Sequence, residues 1–308
     1  MKKMLPVLLL VSTSCGAPAP RLDVAQDRAV LEAPAAKVVA VANPVAGGRL
    51  IEYSLGGENI LLKDRGFQLD IGPEMRKIPA HPAIWTGKYT ALPFGTSSVR
   101  LSSEIDPALG VRVVKEVGID PANGALEIVG KMRNEAGREV SYCFWDRTLV
   151  EGKGWCLLPT NPKSKFPAKW VLGKRTPTTP WEYDGQNPSH PDMKLMDGVL
   201  VVKTGGPEQK VGTDTMDGWI AYARGKLLFV KYFPCYPAGK YTDGGLSLAH
   251  YYQPAFSELE PISPEVTLRA GQEYVFPQAW ALIPLEKEVT SFEEARALVS
   301  RLPKSPFK

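Results

Sequence analysis

The chain has 308 residues, a formal net charge of +4 and a mean hydropathy of -0.15. That near-balance gives no basic footprint of the kind nucleic-acid binding needs, and the length after any leader suffices for one large domain or two smaller ones. Of the 4 cysteines, Cys15 sits at the end of a leader, and Cys143, Cys156 and Cys235 are an odd set that allows at most one disulfide. Cys143 and Cys156 fall in neighbouring predicted strands and can pair; the favoured reading is three buried apolar thiols. No CxxC and no Cys/His spacing calls for a metal, and no cofactor motif is present.

Residues 1–15 read as an export signal: Lys2 and Lys3, an apolar run from Leu5 to Val11, then small residues. The run is too short to span a bilayer, which takes about 20 residues. Small residues directly before Cys15 resemble a lipobox, although Ser12 departs from the usual aliphatic residue there. The expectation is a lipidated Cys15 and a protein tethered in the cell envelope, periplasmic or at the surface; an ordinary cleaved signal is the alternative. Residues 16–37, rich in Ala and Pro, read as a tether, and residues 38–308 as the folded domain.

From residue 38 onward the pattern is strands and turns. A β-meander, AGGRLIEYSLGGENIL, turns on glycine pairs. FQLDIGPE is a further strand, followed by a proline-rich loop carrying His81 and Trp85. These two can line a sugar site, the indole stacking on a pyranose face, or can close a core edge. Strands near 97–103 and 111–119 lead to Asp120-Pro-Ala-Asn-Gly124, a strong hairpin turn, then to alternating 125–133 and to 140–150. Residues 159–194 form a proline-rich segment with Lys163, Lys165, Lys169, Lys174 and Arg175 in its first half and Trp170, Trp181 and Tyr183 as possible stacking surfaces. Long loops of this kind are often functional. The basic cluster would suit an anionic ligand such as an acidic sugar, or it is a solvated insertion.

Further strands are expected at 198–204, 219–223, 227–233 (carrying Lys231) and 246–252 (carrying His250). In residues 256–280, Glu258 and Glu260 lie two apart, which puts both carboxylates on one strand face with Phe256. Burial of such a pair raises the pKa of at least one member and can make a proton-transfer group; two solvated glutamates at a sheet edge is the bland reading. His250, just upstream, can approach them from a partner strand as an acid or a ligand-binding group, or is a satisfied structural histidine. Residues 290–302 read as a short amphipathic helix with Ser291 and Glu294 as a capping box.

The motif order resembles the galactose-mutarotase-like superfamily. It runs from the opening meander through S-x-x-D-P-x-x-G-V-R-V, I-V-G-K-M-R-N and V-S-Y-C-F-W-D-R-T to L-E-P followed by S-P-x-x-x-L-x-x-G-x. Within that superfamily it looks nearest to uncharacterised bacterial proteins of the DUF4380 type. The resemblance implies an all-β fold, a large antiparallel sandwich with a short C-terminal helix. It aligns Glu260 with the family's general base, with Glu258, Arg147 and His250 in support. Active mutarotases have a histidine that protonates the ring oxygen; here Trp145-Asp146-Arg147-Thr148 stands in that region. Arg147 is no general acid, but can bind a carboxylate or phosphate in bidentate fashion, or make a sheet-face ion pair. The expected function is therefore an exported carbohydrate-binding protein or degenerate aldose-epimerase-like protein. The alternatives are an active aldose 1-epimerase-like isomerase and a structural envelope lipoprotein.

Overall fold

The computed structural model describes residues 19–76 and 78–307. Residues 1–15, read as an export signal ending at Cys15, lie outside them. The larger of two antiparallel sheets is 13-stranded. Its main path runs Arg21–Val24, Ala29–Ala33, Val38–Asn43, Arg49–Leu55, Phe67–Gly72, Val140–Glu151, Phe256–Pro261, Leu248–Tyr252, Gln209–Thr213, Val171–Lys174 and Glu182–Asp184. The smaller, 10-stranded sheet runs from Met193–Met196 through Val199–Lys203, Trp155–Pro159, Trp219–Arg224, Leu227–Tyr232, Glu273–Pro284, Leu126–Asn134, Val111–Ile119 and Ser98–Ser103 to Tyr89–Pro93. The all-β expectation and the sandwich both hold.

The period-two pattern sets which side chains meet between the sheets. Along Val140–Glu151, Tyr142 and Phe144 join Phe67, Leu69, Phe276 and Trp280 in the main core, while Cys143 and Trp145 fall in a separate cluster on the opposite face with Val171, Leu246, Ala249 and Ile262. The inner layer also holds a buried ion pair. Lys231 Nζ lies 2.6 Å from Asp146 Oδ2 and 2.5 Å from Thr148 Oγ1, with both charged side chains at 0% exposure. Burial pushes Asp146 up and Lys231 down to about 8, each toward its neutral form, and their mutual attraction opposes this.

Several expectations are corrected. The stretch read as a tether contains two strands from Arg21 onward, with Ala29, Leu31 and Ala33 fully buried in the core. Short, Ala-rich strands carry little β propensity, and pairing with Val38–Asn43 overrides it. Residues 256–280 span both sheets. Phe256–Pro261 belongs to the larger sheet and Glu273–Pro284 to the smaller, and Val266–Leu268 makes the crossing by pairing with Val140–Glu151. The proline-rich segment supplies Val171–Lys174, Glu182–Asp184 and Met193–Met196. Cys143 and Cys156 are free thiols in different clusters, one outside the larger sheet and one between the sheets, and Cys235 is free as well.

The C-terminal helix is Phe292–Ala297, continued as a 3-10 turn Leu298–Arg301. Ser291 Oγ accepts from Glu294 N at 3.1 Å, and the Glu294 carboxylate accepts from Thr290 N at 2.9 Å, one residue earlier than a standard capping box. Ala295, Leu298 and Leu302 pack over the outer face of the smaller sheet with Leu157, Val201 and Val230.

Candidate functional site

Strand alternation places Glu258 and Glu260 on the outer face of the larger sheet, because Leu259 between them enters the main core. The same alternation brings Asp70 from Phe67–Gly72, Trp145 and Arg147 from Val140–Glu151, Tyr251 from Leu248–Tyr252 and Lys210 from Gln209–Thr213 to that face. The registers Trp145↔Asp70, Tyr251↔Glu258 and Lys210↔Tyr251 set these neighbours side by side.

Arg147 is the hub. Its Nε lies 3.2 Å from Asp70 Oδ2, Nη2 3.7 Å from Glu74 Oε1 and Nη1 3.6 Å from Glu258 Oε2. Lys210 forms a second node, with Nζ 2.8 Å from Glu74 Oε2 and 3.1 Å from Glu260 Oε2. The Glu260 contact is close enough to be an ion pair but is poorly aligned for a hydrogen bond, and both Glu260 oxygens lack a hydrogen-bond donor among the described residues. Burial opposes the charge on both cations, and the surrounding carboxylates outweigh it: Asp70, Glu260, Glu258 and Glu74 raise Arg147, and Glu260 and Glu74 raise Lys210.

Glu258 behaves differently. Burial, and then the neighbouring Glu260 charge, push it up to about 8 against the pull of Arg147 and Lys210. At neutral pH it is mainly a carboxylic acid and can donate a hydrogen bond. The pair expected from the spacing is thus present, with Glu258 holding the proton. The side chain of Glu258 is 12% exposed and that of Glu260 0%.

His81 reaches the same surface from the turn before the short helix Pro82–Trp85. Its Nε2 lies 2.6 Å from Asp70 Oδ1 and Nδ1 2.9 Å from the Pro79 carbonyl. Burial lowers its pKa, but Asp70 outweighs burial and raises it overall. Trp85, half-buried, has the Arg147 guanidinium 5.7 Å and the Arg49 guanidinium 4.9 Å from its ring centroid. His81, Trp85, Arg147, Glu258 and Glu260 therefore lie on one face of the larger sheet.

Two expected residues do not take the places assigned to them. His250 pairs with Leu259, so its ring enters the layer between the sheets, on the opposite face from the glutamates. It is 0% exposed, its Nδ1 meets the Glu258 carbonyl at 3.0 Å, and burial drives its pKa down to about 4. A neutral histidine facing the core is no substitute acid at this surface. Trp181 does reach the outer face, but it is buried. Arg175 lies 4.6 Å and Lys210 5.7 Å from its ring centroid, and Tyr251 meets it edge-on at 6.0 Å. It buttresses Lys210 and presents no open ring to a ligand.

Asp70, Glu74 and Lys210 were not anticipated. Asp70 had a signal: in FQLDIG the polar Gln68 and Asp70 alternate with Phe67, Leu69 and Ile71. Lys210 had almost none, because Gln-Lys-Val-Gly-Thr is too short and glycine-bearing to read as a strand. A cleft of about 430 Å³ lies elsewhere, lined by Ser98, Asp120, Trp280 and Pro303, and none of the residues above borders it. Among the described residues no group of His, Cys, Asp and Glu is arranged to hold a metal ion.

No protein-family model matches the chain, and no curated protein matches it in sequence. Solved structures do. A candidate aldose 1-epimerase from Escherichia coli K12 aligns over 81% of this chain and 97% of its own with a TM-score of 0.60 at 9% identity. A galactose mutarotase-like protein from Lactobacillus casei ATCC 334 covers 80% of this chain and 97% of its own with a TM-score of 0.58 at 10% identity. One from Clostridium acetobutylicum covers 87% and 99%, with a TM-score of 0.53 at 10% identity. At such identities the likeness speaks to architecture alone: the chain has the galactose mutarotase-like fold.

Proposed function

We propose that the protein binds a carbohydrate on the outer face of the larger sheet, over Arg147, Glu258, His81 and Trp85, without turning it over. The observation that carries this reading is the burial of Glu260. The carboxylate that the motif order aligns with a catalytic base is 0% exposed and lies against Lys210, so it has no route to an anomeric hydroxyl. The groups that remain accessible are ones that hold a sugar. The protonated Glu258 donates and the 23% exposed Arg147 donates, while the half-buried Trp85 offers apolar surface.

An active epimerase is the second reading, and one observation favours it. His81, oriented by Asp70, and Glu258, held protonated, are two accessible groups suited to proton transfer. On that reading Glu258, rather than Glu260, meets the sugar, as acid at the ring oxygen, while His81 takes the anomeric proton.

Saturation-transfer NMR against a sugar panel, with exchange spectroscopy on the same samples, separates the two. We expect binding that is lost in Trp85→Ala, with anomer interconversion at the uncatalysed rate. Exchange that is accelerated by the protein and lost in Glu258→Gln would establish the second reading. Absence of any sugar signal would leave a structural envelope role.

The acidic sugar suggested by the basic cluster is not part of this proposal. Lys165 donates to the Gly244 carbonyl at 2.7 Å, Arg175 pairs with Glu208, and Lys174 is exposed. The motif order further supports placement beside the DUF4380-type bacterial proteins, and the leader supports export and a lipid anchor in the cell envelope. Incorporation of labelled fatty acid into the full chain, abolished in Cys15→Ser, is the expected result; equal labelling of both would refute the anchor.

A further inference from the structure

Strand registers sort the chain between the two ends of the sandwich. Arg21 pairs with Glu32 and Ala33 with Val38, and the Val38 side chain lies against Gly124 in the Asp120–Gly124 turn. Just before that turn Ile119 N donates to the Ser97 carbonyl at 3.0 Å, and Phe94 N donates to the Ser98 carbonyl at 2.7 Å. The start of Arg21–Val24 and the turn that follows Tyr89–Pro93 therefore share one end. These two strands are the terminal strands of their sheets and lie against each other. At the other end Asn43 pairs with Arg49 and Leu50 with Phe67, and Tyr89 N donates to the Pro44 carbonyl at 2.7 Å. Asp70, His81 and Trp85 belong to that second end, about 17 Å away along Val38–Asn43.

The first end carries exposed apolar surface. Leu92 and Phe94 are 57% and 44% exposed and flank an exposed Pro93. Alternation puts Leu92 and Phe94 on one side of the strand, and Leu92 pairs with Arg100, whose guanidinium lies 4.1 Å from the Phe94 ring centroid. A single exposed apolar residue needs no explanation, whereas a consecutive run at the tip of an edge strand is a surface without a partner. Pro93 has no N–H to offer an added strand, which argues against pairing with a further chain along this edge. The chain itself supplies another occupant. Arg21 follows Cys15 by six positions, a reach of at most about 22 Å, so a bilayer that holds Cys15 lies close to this end and not to the other.

Resting on the lipid-anchor reading, we infer that Leu92-Pro93-Phe94 is a second membrane contact, which enters the interfacial layer of the bilayer that holds Cys15 and turns the carbohydrate site away from it. Acyl chains alone keep the protein on the membrane but leave it free to tilt about the anchor. An apolar tip at the same end fixes its attitude, because Leu92 and Phe94 leave water while the Arg100 head stays at headgroup level. The face with His81, Trp85 and Arg147 then looks into the envelope space. A sugar carried on a lipid of the same bilayer is out of its reach.

Hydrogen exchange tests this on the full chain, purified with its lipid and reconstituted into phosphatidylcholine vesicles, against the leaderless chain from residue 16 onward free in solution. Peptides covering residues 90–97 should exchange more slowly on vesicles, and peptides covering residues 79–87 should not change. In the double variant Leu92→Ser with Phe94→Ser the slowing should be lost, while the chain stays on the vesicles through Cys15. Equal exchange at 90–97 in the two states of a vesicle-bound wild type overturns the tip contact and leaves the anchor standing, as does slowing that survives in the double variant. Slowing at 79–87 in place of 90–97 overturns the orientation. A chain that carries no lipid and does not float with the vesicles defeats the anchor reading and this inference with it.

Discussion

Asp146→Ala is expected to destabilise the protein by about 3–5 kcal/mol, the usual cost of removing one partner from a buried ion pair. The magnitude follows from where the pair sits. Lys231 enters the core from the smaller sheet and Asp146 from the larger, 2.6 Å apart, with Thr148 Oγ1 the one further oxygen bonded to the ammonium among the described residues. The Trp280 and Phe67 ring centroids lie 5.0 and 5.7 Å from the ammonium. Without Asp146 the lysine must give up its proton or remain charged in an apolar layer, and both are costly. The paired replacement Asp146→Leu with Lys231→Met should recover most of the loss, because it removes both desolvation costs together. Urea denaturation of wild type and the two variants gives the comparison. A single variant as stable as wild type would mean that the pair contributes nothing, and a double variant worse than the single would place its value in shape rather than charge.

That pair also shows what could be read without coordinates. Lys231 was visible as a lysine inside a predicted strand, and Asp146 as an acid inside another. Nothing local says that the two strands lie in different sheets and face each other, because pairing across a sandwich is set by topology. The glutamate pair was more legible: two residues apart in a strand, Glu258 and Glu260 share a face by geometry alone. Which of them is buried deeper and which holds the proton depends on Lys210 and Arg147, contributed by other strands. His250 was misplaced for a related reason. Proximity in sequence suggested proximity in space, and the register with Leu259 turned its ring to the other face. The N-terminal strands were missed because Ala-Val-Leu-Glu-Ala, between Asp27-Arg28 and Pro34, has no strong alternation, and pairing with Val38–Asn43 makes it a strand.

Glu258 should make the protein less stable as pH rises from about 5 to 8, and Glu258→Gln should remove much of that slope. The carboxyl titrates at about 8 in the folded chain against an ordinary 4.5. Between those values the folded state binds more protons than the unfolded state, so stability falls with rising pH. The contribution is fully present below 4.5 and is lost as pH climbs through the folded value. Its upper limit is on the order of 5 kcal/mol, at about 1.4 kcal/mol for each unit between 4.5 and 8. His81 acts in the same direction at the top of the range, because Asp70 raises its folded pKa and the benefit of its charge is lost as pH rises through that value. The glutamine variant should match wild type near pH 5 and exceed it near pH 8, where wild type must bury a second carboxylate beside Glu260. Denaturant midpoints at the two pH values decide it, and parallel pH profiles for the two proteins would overturn the assignment of the proton to Glu258.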